Sequence, residues 1–140
     1  MPSTYLCFDF GVKRMGVAVG NDLIKRGQEL KPINAIDGIP NWQTIAAVIN
    51  EWRPKELVVG LPLNMDGSES DMSLRAKKFG SRLKGRYNLE VHMVDERLSS
   101  YAAKSEHFEH NGYTDFGKHS VDGAAACLIL ESWFNQQDET

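Results

Sequence analysis

The run ELVVGL, residues 56–61, is apolar from its second residue to its last, with no alternation of polar side chains. A strand of this kind is buried on both faces, and layers of helices on either side are what bury it. The flanking segments supply them. Upstream, Asn41 can cap a helix in which Trp42, Ile45, Ile49 and Trp52 recur on one face, and Pro54 ends it. Downstream, the loop PLNMDGSES leads into a second helix from about Asp71, with Met72, Ala76, Phe79 and Leu83 as its inner stripe. The segment LEVHMVDE, 89–96, then returns as a strand.

The N-terminal part follows another pattern. YLCFDFGVKRMGVAVG, 5–20, reads as two strands, near 4–10 and 14–20, joined by a tight basic turn, and LKPINAI, 30–36, is a weaker third. Early strands so close together imply an antiparallel meander, and later strands separated by helices imply parallel crossovers. Ser99 or Ser100 can cap a short helix that stops at Asn111-Gly112, and the polar loop YTDFGKHS leads to a last helix, VDGAAACLILESWF. The expectation is an α/β fold of one domain, 1–140, with a mixed five-stranded sheet flanked by helices. In such sheets functional groups gather at the carboxyl ends of the strands.

With 140 residues, 41% of them hydrophobic, the chain can build a core without disulfides or structural metal. Cys7 and Cys127 lie far apart in apolar surroundings with no CxxC spacing, so they read as buried free thiols rather than zinc ligands. No apolar run is long enough for a bilayer and no signal-peptide pattern opens the chain, which implies a cytoplasmic protein with no membrane partner. The net charge of −3 means that any nucleic-acid partner has to meet a local basic face.

Against that background three acidic positions stand out. Asp9 sits in the first strand between Phe8 and Phe10, where a charge is costly unless something compensates it. Asp95 and Glu96 close the strand EVHMVDE, and Asp122 opens the last helix beside Gly123, Ala124, Ala125 and Ala126, whose small size lets a helix approach a sheet closely. Two of the three have an ordinary reading: a helix N-terminus favours Asp122, and Arg97 can pair with its acidic neighbours, whereas a carboxylate between Phe8 and Phe10 has few harmless explanations. Gathered together, the acids repel. Two carboxylates about 5 Å apart cost roughly 3 kcal/mol at an effective dielectric near 20, and a divalent cation removes that cost. Hard oxygen donors point to Mg2+ or Mn2+, and two such ions can clamp a phosphodiester.

The segments DFGVKRMGVAVG, VVGLPLNMDG, DERLSS and VDGAAACLIL resemble, in order and over essentially the whole chain, the four motifs of the YqgF family, also called RuvX. The resemblance implies a ribonuclease H-like fold akin to RuvC-type resolvases. It implies metal-dependent cleavage of structured nucleic acid and a role in maturing the 5′ end of 16S rRNA. It makes Asp9 the first catalytic acid and metal ligand, Asp122 the last, and either Asp95 or Glu96 the middle one. Adjacent strand residues face opposite ways, so only one of that pair should meet the metals. Ser100 and Gly123 stand where the family more often has threonine and serine.

Around the acids, Lys13 and Arg14 on the first turn and Arg97 after the DE pair are candidate phosphate contacts. The stretch RAKKFGSRLKGR, 75–86, carries Arg75, Lys77, Lys78, Arg82, Lys84 and Arg86 with no acid among them, enough to attract a phosphate backbone. The expected partner is pre-16S rRNA or a ribosomal precursor particle. Branched DNA is the alternative, with the chain acting as a Holliday junction resolvase. Resolving a four-way junction requires two active sites and therefore a dimer, but nothing in the sequence specifies a dimer surface, so monomer and homodimer both stay open. Two other classes fit less well. An actin-like ATPase shares an Asp-x-Gly phosphate loop but needs two related domains, and a non-catalytic nucleic-acid module would not need all the acids.

Overall fold

The computed structural model describes residues 2–96 and 121–138, apart from the side chains of residues 121, 122 and 138. Three antiparallel strands, β1 (Thr4–Asp9), β2 (Arg14–Asn21) and β3 (Gly27–Ile36), form the meander, and a two-residue strand β4 (Ile39–Pro40) closes its outer edge. Helix α1 (Trp42–Trp52) leads to β5 (Glu56–Leu61), which lies parallel to β1. Helix α2 (Asp71–Tyr87) leads to β6 (Val91–Asp95), parallel to β5. The last described element is helix α3 (Val121–Asp138). The sheet order is β4-β3-β2-β1-β5-β6.

Among the described residues the sheet therefore has six strands rather than the expected five. The addition is β4, which pairs Ala35 with Pro40 and Ile36 with Ile39 around an Asp37-Gly38 turn. Both turn residues have positive φ, 50° and 81°, as a tight hairpin matched to the strand twist demands. Two residues are too few to show a period, which is why composition alone does not reveal this strand. The β3 strand is also longer than the apolar segment that signals it, starting at Gly27 instead of residue 30. The expected short helix after Ser99 or Ser100 lies outside the described residues.

Local chemistry explains the helix boundaries. The Asn41 side chain accepts from the Gln43 and Thr44 amides and so caps α1. Arg53 then turns left-handed before Pro54. Ser70 and Ser73 form a reciprocal capping box at the start of α2, and Asn88 takes the left-handed position at its end. Two apolar layers flank the sheet. Leu6, Phe8, Phe10, Val17, Leu57 and Val59 face α1 and α2, where they meet Ile45, Ala76, Phe79 and Leu83. Tyr5, Cys7, Ala18, Val58 and Val94 face α3, where they meet Ala126, Ile129, Leu130, Trp133 and Phe134. No helix among the described residues is long and apolar enough to cross a membrane.

Small residues set how closely α3 docks. A Cβ on Gly27 would fall 2.9 Å from Cys127 Cα, so the helix rides directly on the β3 backbone. The Gly27 amide donates to Glu131 at 2.8 Å, and Ala125 and Ala126 are fully buried. Trp133 packs tilted and Phe134 edge-on against Tyr5 at the start of β1. Ala126 and Ile129 belong to the same layer as Cys7, farther along the strand. Helix α3 therefore runs against β1 and brings its first turn, with Asp122, toward the carboxyl end of that strand.

Candidate active site

The period of β1 sends Leu6 and Phe8 to one face of the sheet and Tyr5 and Cys7 to the other, so Asp9 follows Cys7 onto the α3 face. Its side chain is buried, at 8% exposure, at the carboxyl end of the central strand. The two acids at the end of β6 also part: Asp95 closes the strand and Glu96 follows it. Val91 and Met93 pack with the α2 layer, and Asp95 continues their alternation. Val94 packs with the α3 layer, and the Glu96 side chain lies on that face beside Ile129. Glu96 lies across β5 at Gly60, where an added Cβ would stand 2.6 Å from Glu96 Oε1 and 2.7 Å from Ile129 Cδ1. Gly60 leaves the opening through which this carboxylate reaches the α3 face.

Asp9 and Glu96 thus share one face, with the Cys7 thiol beneath them. Burial pushes that thiol far above its ordinary range, and the charges of Asp9 and then Glu96 raise it further. Cys7 is therefore held as a neutral thiol. Cys127, on α3, is likewise pushed up to about 12, by burial first and then by Glu29 and Glu131. Both cysteines are free, as their spacing implies.

The structure places Asp9 and Glu96 on the same face and leads the backbone of Asp122 toward it, while Asp95 falls in line with the opposite face. Among the described residues no group of three or more His, Cys, Asp or Glu side chains is placed to hold a metal ion, and the side chain of Asp122 is not among them. Lys13 and Arg14 are exposed on the β1–β2 turn. That turn is pinned to the β3–β4 hairpin where Lys13 O accepts from Ala35 N at 2.8 Å and Val12 O accepts from Gly38 N at 2.9 Å. Arg97 lies outside the described residues.

The basic helix is less bare than its sequence. Lys77 pairs with Glu69, Arg75 reaches Asp37 and Asp71, and Lys84 reaches Glu90. Arg86 lies 4.0 Å over the Trp42 ring. Lys78 and Arg82 are exposed and have no partner among the described residues. The loop after β5 largely satisfies itself. Asp66 accepts from the Ser68 amide at 2.9 Å, Asn64 donates to the Ser68 hydroxyl at 3.0 Å, and Ser70 donates to Pro62 O at 3.0 Å. Its Asn, Asp and Gly residues serve the turn. Gly60 is the positioning residue that composition does not reveal, because its purpose depends on Glu96 crossing from the next strand.

Comparison with known proteins agrees with this architecture. The Thermus thermophilus RuvC in a structure titled as a complex with Holliday junction substrate superposes with a TM-score of 0.61 at 12% identity, covering 99% of this chain and 97% of that one. The fowlpox virus Holliday junction resolvase superposes with a TM-score of 0.57 at 17% identity, covering 95% and 99%. The fold is ribonuclease H-like. A protein of Actinobacillus pleuropneumoniae serotype 5b named "Putative pre-16S rRNA nuclease" is 56% identical over 137 residues, 98% of this chain and 100% of that protein. One of the same name from Haemophilus influenzae strain PittGG is 51% identical over 134 residues, 96% of each chain. The family model described as "RuvX: Holliday junction resolvase" matches residues 3–136, and the chain belongs to that family.

Proposed function

We propose that this protein is a divalent-metal-dependent nuclease that hydrolyses phosphodiester bonds in structured nucleic acid and trims the 5′ end of pre-16S rRNA in the bacterial cytoplasm. The observation that carries the reading is the placement of Asp9 and Glu96 on the same face of the sheet, both close enough to the Cys7 thiol to raise it, at the carboxyl end of the central strand. Two carboxylates on one face are hard donors suited to a hard cation. Asp9, Glu96 and Asp122 would hold Mg2+ or Mn2+, which supplies a nucleophilic water and charge stabilisation at the phosphorus. The chain's own residues do the rest. The sheet fixes Asp9, and Gly60 and Ile129 fix the path of Glu96, so the acids need little reorganisation when substrate arrives. Lys13 and Arg14 lie on the turn that follows Asp9, within the next five residues, as contacts for the phosphate backbone. In hydrolysis water oxygen bonds to phosphorus, the bond from phosphorus to the leaving oxygen breaks, and that oxygen takes up a proton.

The names carried by relatives more than half identical to this chain support RNA as substrate, and the family description supports junction DNA. One assay separates them. A 16S precursor RNA with its 5′ leader and a four-way DNA junction are each offered with Mg2+, Mn2+ or chelator, with Asp9→Asn protein as the control for contaminating nucleases. Metal-dependent trimming of the RNA, lost in the variant, is expected. Cutting of the junction alone moves the function to recombination. Cutting of neither removes the nuclease reading for free RNA.

A further inference from the structure

A second concave site lies on the opposite face of the sheet from the acids. It encloses about 200 Å³ between the β3–β4 hairpin and α2. Its apolar wall is Phe10, Ile39, Trp42 and Phe79, and its basic rim is Arg75, Lys78 and Arg82. Three features separate it from an ordinary surface dent. Arg75 is held at the rim by Asp37 and Asp71, whereas Lys78 and Arg82 lack a partner among the described residues. The hairpin exposes Ile36 at 82% and Ile39 at 55%, an apolar lip that nothing among the described residues covers. The shape is also built in: Gly38 holds φ at 81°, and a Cβ there would stand 3.2 Å from Phe10 Cζ and 3.5 Å from Arg75 Nη1, narrowing the floor.

Available cations beside an apolar wall match a phosphate joined to a flat apolar ring. The volume is below the roughly 300–1,000 Å³ of drug-sized sites, which suits one base with its sugar. A paired base inside a duplex cannot enter a concavity, whereas an unstacked one can be held against aromatic or guanidinium surfaces. Position adds to this. Phe10 immediately follows Asp9, so the pocket opens off the same strand end as the candidate acids, around the edge of the sheet.

We propose that this pocket binds one unpaired nucleotide of the substrate strand, its base against Phe10, Trp42 and Ile39 and its phosphate on Lys78 and Arg82. The proposal rests on the nuclease reading for its substrate and names the feature recognised: a single-stranded extension next to structured RNA. It makes the protein select a leader rather than a blunt helix.

The test is equilibrium binding by the full-length Asp9→Asn protein in chelator, so that nothing is cut. Three RNAs are compared: a blunt hairpin, the same hairpin with a 5′ single-stranded extension, and the hairpin with an abasic extension of equal length. The extension is expected to tighten binding at least about tenfold, and the abasic one by clearly less. Adding Lys78→Ala and Arg82→Ala should remove that gain, so that within this variant the extended hairpin binds no more tightly than the blunt one. Lys31→Ala with Lys55→Ala, which removes equal charge from exposed positions elsewhere, should preserve it. Equal gains from normal and abasic extensions, or equal losses in both double variants, would overturn the pocket in favour of general attraction to phosphate. Wild-type protein with metal is assayed for cleavage in parallel. Cleavage without the gain removes the pocket alone, and the gain without cleavage removes the nuclease reading alone.

Discussion

The Glu96 carboxylate occupies the space above Gly60 that a Cβ would need, 2.6 Å from where that atom would stand. In the parallel pairing Gly60 sits beside Val94, so Glu96 reaches back across the strand end that β5 and β6 share. Gly60→Ala must displace either Glu96 or Ile129. Overpacking of this kind costs about 1–3 kcal/mol, and melting temperature should fall accordingly. Cleavage should drop at least about tenfold at saturating substrate, with KM nearly unchanged, because an acid rather than a substrate-binding group has moved. The effect should vanish in a Glu96→Gln background. An active Gly60→Ala enzyme would mean that Glu96 needs no such opening.

Asp9 and Asp95 should respond differently to neutralisation. Asp9→Asn and Glu96→Gln are each expected to lower metal-dependent cleavage by about 10² or more, the loss of several kcal/mol of charge stabilisation. Asp95→Asn, whose position alternates onto the other face, should stay within about threefold of wild type. Without metal, Asp9→Asn should raise the melting temperature, since it relieves repulsion from Glu96. A fall would make Asp9 a support of the fold instead.

Lys78 and Arg82, the α2 cations without a partner among the described residues, should dominate the attraction of that helix for RNA. Reversing both to Glu should weaken binding and lower the slope of log affinity against log salt by about 1 for each phosphate that is no longer neutralised. Lys77→Glu should do less, because Glu69 already neutralises Lys77. Equal effects at all three positions would show a diffuse field instead of a defined phosphate site.

Stability should decline in alkaline solution through Cys127. Its thiol ionises near 9.0 when unfolded and near 12 when folded. Between these values the unfolded chain holds fewer protons than the native one, so stability is complete below pH 9 and is lost as pH rises toward 12. Denaturant unfolding at a series of pH values should show a flatter profile for Cys127→Ala. An identical profile would assign the loss to other groups.

Much of this architecture is legible in the residues themselves. The apolar run 56–61, the Asn41 cap and the inner stripe of α2 each depend on neighbours a few positions away, so local propensity and period determine them. The same holds for Asp9, whose two phenylalanine neighbours mark it as a charge in a core strand. The sequence also determines that Asp95 and Glu96 face opposite ways. Which of them joins the α3 face is decided only when β6 docks beside β5 and Gly60 lets Glu96 across. Likewise, the six cations of α2 reduce to Lys78 and Arg82 because Glu69, Asp37 and Glu90 arrive from outside the basic stretch and Trp42 takes Arg86. Phe10, Ile39 and Arg82 become one pocket only when three segments pack together. Period and propensity act over a few residues, whereas burial, ion pairing and cavity shape depend on contacts between segments that only the folded chain makes.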